Sequence, residues 1–196
     1  MTHPDLDIIA TRFAVVDIET SGLSPDRHRI LQVGVVVVDA DGRILDRWVS
    51  RIGPGLAWWR SVGPTDIHGL RRRDLWRSPR RRTVLSELAR RLGTARFVAH
   101  NASFDLSFLV VEARRSGIDL PINDPVCTLV MSRALDPGRT RSHRLGDLCA
   151  RYGIPLDHAH DALADAEATA ALLPHLLREH GVHDTAQLAA FAPPSP

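Results

Sequence analysis

Apolar and polar positions along the chain predict strands in the first third and helices over most of the remainder. Phe13–Ile18 (FAVVDI) is short, apolar and rich in β-branched residues, and predicts a strand. Ile30–Asp39 (ILQVGVVVVD) predicts a second, followed by the turn Ala40-Asp41-Gly42 and a third strand near Arg43–Ser50. An Asp-Gly pair between two β-rich runs is a hairpin signal. Gly53, Pro54, Gly55, Gly63 and Pro64 mark a loop over 51–64. Ser78-Pro79 then predicts a helix to about Leu92, with Ser as N-cap and Pro at the first helical position. Arg96–Ala99 reads as a short strand and Phe104–Ser116 as a helix stopped by Gly117. Residues 125–135 and 143–152 read as helical, as does the Ala/Leu-rich Asp161–Arg178, with Pro174 as a kink. A short helix near 184–191 precedes a Pro-rich end.

This order predicts an α/β fold in which an antiparallel hairpin and parallel strands share one mixed sheet flanked by helices. At 196 residues the chain fits one domain. The longest apolar run, Val33–Val38, falls far short of the ~20 residues that cross a bilayer, so no membrane partner is expected. The first residues lack the basic stretch of a signal peptide, and Cys127 and Cys149 are too few for a disulfide framework. A cytoplasmic protein is expected. No Gly-x-Gly-x-x-Gly follows a strand, which argues against a dinucleotide. The chain contains no lysine, which removes a P-loop lysine, a Schiff base and a Ser-Lys dyad together. Its basic charge is all arginine, a pattern that codon usage explains.

The candidate chemistry lies in carboxylates. In Asp17-Ile18-Glu19-Thr20-Ser21-Gly22-Leu23 the two acids are two apart on a strand and share a face. Adjacent like charges are costly unless a cation neutralises them or one protonates, and hard ions such as Mg²⁺ or Mn²⁺ suit such oxygen donors. The alternative is a pair of strand-end acids in solvent. In His100-Asn101-Ala102-Ser103-Phe104-Asp105 the aspartate falls in the first turn of a helix, where capping alone would account for it. In His158-Ala159-His160-Asp161-Ala162-Leu163-Ala164-Asp165, Asp161 as N-cap places Asp165 one turn on. Spacing by itself leaves Asp161 and Asp165, and His158 and His160, as alternatives.

Taken in order, DIETSGL, HNASFD and H-x4-D make the chain resemble the DnaQ-like (DEDDh) 3′→5′ exonucleases, and its wording resembles the polymerase III epsilon-like branch. The resemblance implies a ribonuclease H-like fold with a five-stranded mixed sheet. It implies two divalent cations, Mg²⁺ or Mn²⁺, held by Asp17, Glu19, Asp105 and Asp165, with His160 as general base. It also implies contacts to the terminal nucleotides from Thr20, Gly22, Leu23, His68 (in TDIHGL), Asn101 and Phe104. Leu23 would pack on a base, while Phe104 is as well placed for core packing as for stacking. The implied activity releases nucleoside 5′-monophosphates from DNA 3′ ends in proofreading or repair. RNA is the second substrate, and a non-catalytic polymerase-associated module the alternative.

On this basis residues 1–10 form an N-terminal tail, 11–180 the exonuclease domain, and 181–196 a C-terminal helix and Pro-rich tail. Seven arginines between Arg71 and Arg82 face a single Asp74 and either track a substrate backbone or form a solvated surface. Gln187-Leu188-Ala189-Ala190-Phe191 resembles peptides that bind bacterial sliding clamps, and is equally compatible with a final helix packed on the domain. A nucleic acid 3′ end is the expected partner, with a DNA polymerase or the clamp as further ones.

Overall fold

The structure, a computed structural model, describes residues 7–55, 61–157 and 160–194. Its strands are β1 (Phe13–Thr20), β2 (Ile30–Val38), β3 (Ile44–Arg51), β4 (Arg96–Ala99) and β5 (Val126–Cys127). They form one sheet in the order β3-β2-β1-β4-β5. β1 pairs antiparallel with β2 and parallel with β4, and β4 is parallel to β5, so the sheet is mixed and β1 is central. Every residue of β2 is buried, as both its faces are covered by helices.

The helices are α1 (Thr65–His68), α2 (Arg72–Leu75), α3 (Arg81–Leu92), α4 (Ala102–Ser116), α5 (Thr128–Ala134), α6 (Leu145–Tyr152) and α7 (Ala162–Glu179). Strand alternation divides the core into two layers. Ala14, Val16, Ile18, Val33, Val35 and Val37 pack with α3 and α4, while Phe13, Val15, Val36 and Val38 pack with α7. Asp17 and Glu19 continue the second series, so the pleat carries them onto the α7 side of the sheet.

Several boundaries differ from those expected. The helix read from Ser78-Pro79 starts at Arg81 with Arg80 at its N-cap, because Pro79 O instead accepts from the Gly53 amide at 2.8 Å. Residues 125–135 divide into a two-residue strand and a helix. Of the described residues outside 11–180, Ile8, Val182, Leu188 and Phe191 are buried in the same core as α7. The Ile8 amide donates to His183 O at 3.1 Å. No helix among the described residues is long and apolar enough to cross a membrane.

Candidate active site

The site is assembled at the C-terminal end of β1. Gly34 on β2 pairs with Asp17, and a Cβ there would lie 2.2 Å from Ala162 O. Only glycine lets the start of α7 rest directly on the strand. That approach brings the first turn of α7 over the two acids of β1. The sequence signal for it is the lone glycine inside the run Val33–Val38.

The structure also separates the two aspartates that spacing left equivalent. Asp161 is the N-cap of α7: its Oδ1 accepts from the Leu163 and Ala164 amides at 3.1 and 3.2 Å. Its Oδ2 accepts from Gln32 Nε2 at 3.2 Å, and Gln32 pairs with Glu19 across the sheet. Asp165, one turn later, places a donor atom with those of Glu19 and His160, all within 4.8 Å of one another. Asp165 Oδ2 accepts from the His160 amide at 3.0 Å. His160 itself is exposed, in left-handed backbone at φ 68°. His158 lies outside the described residues.

Asp105 arrives from a different layer. It lies in the first turn of α4, is 3% exposed, and is favoured in its charged form by the backbone amides of Asp105 and Ile18. Burial outweighs them, and its carboxyl is held well above the usual carboxylate range. Burial likewise pushes Asp17 up, reinforced by the neighbouring charges of Asp105, Asp165, Glu19 and Asp161, all negative. Glu19 is raised to about 8, first by burial and then by Asp165 and Asp161. Asp165 is raised as well, chiefly by burial. Four carboxylates that cannot all ionise together are a donor set for hard divalent cations, whose charge would remove the conflict.

The remaining predicted residues surround this centre in different ways. Thr20 Oγ1 donates to Gly22 O at 2.8 Å, tightening the turn after β1. The His28 imidazole fills the space where a side chain on Gly22 would be. Leu23 is 85% exposed, so core packing does not account for it. Asn101 stands in left-handed backbone at the N-cap of α4 and lines one cleft with His160 and Asp165. Phe104 packs its ring against Phe108, centroids 5.1 Å apart, and remains half-buried. His68 is buried, its Nδ1 accepting from the Leu70 amide at 3.0 Å and its Nε2 lying 3.0 Å from Val62 O. Its ring therefore holds the loop before α1 instead of facing solvent.

The terminal Gln-Leu-x-x-Phe segment packs on the domain, as the alternative reading of it expects. Leu188 and Phe191 are buried in the α7 layer, and Gln187 Oε1 accepts from the His183 and Asp184 amides at 2.6 and 3.2 Å.

Comparison with known proteins identifies the family and relatives of the chain. The exonuclease (RNase T) family model matches residues 14–173. DNA polymerase III PolC-type of Halalkalibacterium halodurans is 33% identical over 174 residues, 89% of this chain and 12% of that protein. The Streptococcus pyogenes (strain Manfredo) counterpart is 35% identical over 190 residues, 94% of this chain and 13% of that protein. The chain thus spans about an eighth of these relatives. Among solved structures, Exonuclease X in complex with 5′-overhanging duplex DNA superposes with a TM-score of 0.71 at 27% identity, covering 92% of this chain and 97% of that one. E. coli Exonuclease I in complex with a dT13 oligonucleotide gives a TM-score of 0.77 at 21% identity, covering 87% of this chain and 42% of that one. The shared fold is ribonuclease H-like, as the strand order implies. With that model spanning most of its length, the chain belongs to the RNase T-type exonuclease family, nucleases that hydrolyse phosphodiester bonds.

Proposed function

We propose that this chain is a two-metal-ion 3′→5′ exonuclease that removes nucleoside 5′-monophosphates from the 3′ ends of single-stranded DNA, in proofreading or repair. The observation that carries this is the convergence of acids from three distant motifs at one strand end, with no positive partner among the described residues acting on Asp17. A fold tolerates such a cluster where a bound cation completes it.

Asp17, Glu19, Asp105 and Asp165 would hold two divalent cations, Mg²⁺ or Mn²⁺. Such a pair stabilises charge on both the attacking and departing oxygens of a phosphodiester. The protein's own residues supply the rest. His160, exposed and tethered through its amide to Asp165, would take the proton of the attacking water at its imidazole. Leu23 offers an apolar surface to a terminal base, and the free face of Phe104 a platform for the next. Contacts of this kind grip any base, so little sequence preference is expected.

DNA is favoured over RNA because the curated relatives are DNA polymerases and Exonuclease X is seen on DNA. A polymerase as partner rests on those same relatives. The test is degradation of 5′-labelled single-stranded DNA, mismatched primer ends and short RNAs by the purified chain with Mg²⁺. Stepwise shortening of the DNA with release of mononucleotides, stopped by EDTA, is expected. Shortening from the 5′ end, or activity on RNA alone, would overturn the assignment.

A further inference from the structure

We propose that Arg133, Arg139, Arg141 and Arg144 form a phosphate-binding wall for the polynucleotide strand whose end lies at the acid cluster. The proposal rests on the exonuclease assignment and names what grips the strand beyond the reacting bond. The four arginines line a cleft of about 860 Å³ together with Asn101, His160 and Asp165. All four are exposed, and among the described residues none makes an ion pair with a carboxylate. An acid cluster on its own repels a polyanion, so a strand entering this cleft needs cationic partners close by. Guanidinium forks match phosphate oxygens in geometry as well as charge.

The wall is built, not merely basic. Asp136 anchors the turn that carries it, accepting from Thr140 Oγ1 and from the Arg141 amide, each at 3.0 Å. The Arg139 amide donates to Asp136 O at 2.9 Å, and Arg139 is held in left-handed backbone at φ 49°. Such a conformation in a non-glycine residue persists only where its surroundings impose it. Here they do: buried His143 lies 3.3 Å from Asp136 Oδ2 through Nε2 and 2.7 Å from Ser132 Oγ through Nδ1. From His143 the network continues to the end of β4. Its carbonyl is 3.1 Å from His100 Nε2, and His100 directly precedes Asn101 in the HNASFD motif. Burial holds the His100 pKa down near 4, so the neutral ring donates there and accepts from Thr128 Oγ1 at 3.0 Å. The turn bearing the arginines is thereby fixed to the junction of β4 and α4, and the first turn of α4 carries Asp105.

The denser cluster at Arg71–Arg82 is used differently. Arg81 pairs with buried Glu112, and Arg82 Nη1 donates to Ser116 O at 3.0 Å, so two of its members are bound to α4.

The experiment measures binding of a fluorescein-labelled dT oligonucleotide to the full chain in EDTA, across a salt series. For Arg139→Gln/Arg141→Gln/Arg144→Gln the dissociation constant is expected to rise about tenfold or more, and the slope of log affinity against log salt to become shallower by about 2, at ~0.7 per phosphate contact on a single strand. Arg133→Gln/Arg144→Gln avoids the left-handed residue and is expected to show a smaller change in the same direction. Arg73→Gln/Arg77→Gln/Arg80→Gln, in the other cluster, serves as the control. Unchanged affinity and slope in both wall variants would overturn the proposal even if the wild type degrades the oligonucleotide. So would a control as weak as the wall variants. Wild-type binding with the steep salt dependence, but no nucleotide released with Mg²⁺, would support the wall and sink the exonuclease assignment instead.

Discussion

Asp105 and Glu112 are both buried carboxylates on α4, two turns apart, and the protein treats them in opposite ways. Glu112 is fully enclosed and has three arginines around it: Arg115 at 3.0 Å, Arg29 at 3.6 Å, and Arg81. Arg115 goes on to donate to Pro25 O and Asp26 O at 2.9 and 2.8 Å, so the group ties α4 and α3 to the loop after β1. Asp105, by contrast, sits among Glu19 and Asp17, and the nearby charges act against its ionisation. This chain is thus able to neutralise a buried acid with arginine where cohesion is at stake. At the end of β1, among the described residues, no arginine is set against Asp17, Glu19 or Asp105, and the acids act chiefly on one another.

The largest effect expected from that contrast is at Asp17. Asp17→Asn removes one of the four donors. A loss of ~4 kcal/mol of transition-state stabilisation corresponds to about a thousandfold fall in DNA hydrolysis. The cation-free variant should melt at the same temperature as the wild type or higher, since a repelled charge has gone. A thousandfold loss accompanied by a large drop in melting temperature would instead place Asp17 with Glu112, as a structural acid.

Glu112→Gln should invert this pattern. Breaking a buried charge group by removing one partner costs about 3–5 kcal/mol, or roughly 10 °C for a domain of this size. Turnover per folded molecule should be retained. Urea unfolding beside a single-turnover assay checks both. A Glu112 variant that keeps its stability would show that the three arginines do not need it.

A smaller effect, pronounced above neutrality and slight below it, tests whether a cation is the missing partner. Glu19 is raised from 4.5 to about 8 in the folded protein. Its proton is therefore bound more tightly in the folded than in the unfolded state, and the stability this contributes is complete below 4.5 and lost as pH rises through about 8. In EDTA the melting temperature should decline between pH 5 and 8.5. Mn²⁺ at a hundred times its dissociation constant should restore about 2.7 kcal/mol at pH 8 and far less at pH 5, where protons occupy the same oxygens. A melting temperature indifferent to Mn²⁺ at pH 8 would break the comparison.

The two kinds of acid were not equally legible in the sequence. Asp17, Glu19, Asp105 and Asp165 stand at positions where local rules also operate: a strand end, a first helical turn, a turn beyond an N-cap. Motif and element could therefore be read together. The hairpin was legible for the same reason, since Asp41-Gly42 is a local turn signal. Glu112 had no such signal, because Arg29, Arg81 and Arg115 meet it only through the fold. The arginines of 133–144 are separated by other residues and form no run, unlike those of 71–73 and 80–82, so composition alone does not mark them. β5, at two residues, is too short for any alternation to appear. Ser78-Pro79 looked like a helix start because both residue types suit one, yet the contact of Pro79 with Gly53 holds it outside. Gln187, Leu188 and Phe191 matched a short motif whose side chains the core had already taken.

The smallest expected effect concerns the rim of the site, where burial and function come apart. Leu23 is 85% exposed, whereas Leu109 on α4 is fully buried. Truncating a buried leucine costs about 2–5 kcal/mol of stability, but Leu23→Ala should leave the melting temperature where it is. If Leu23 lies against the terminal base, the lost apolar contact of about 1 kcal/mol should raise KM for an oligonucleotide roughly fivefold and leave kcat nearly unchanged. The contact is present in bound substrate and transition state alike, so its removal weakens both equally. A fall in kcat instead would mean that Leu23 sets the alignment of the reacting phosphate against Asp17 and Glu19. An unchanged KM would return it to the ordinary exposed surface.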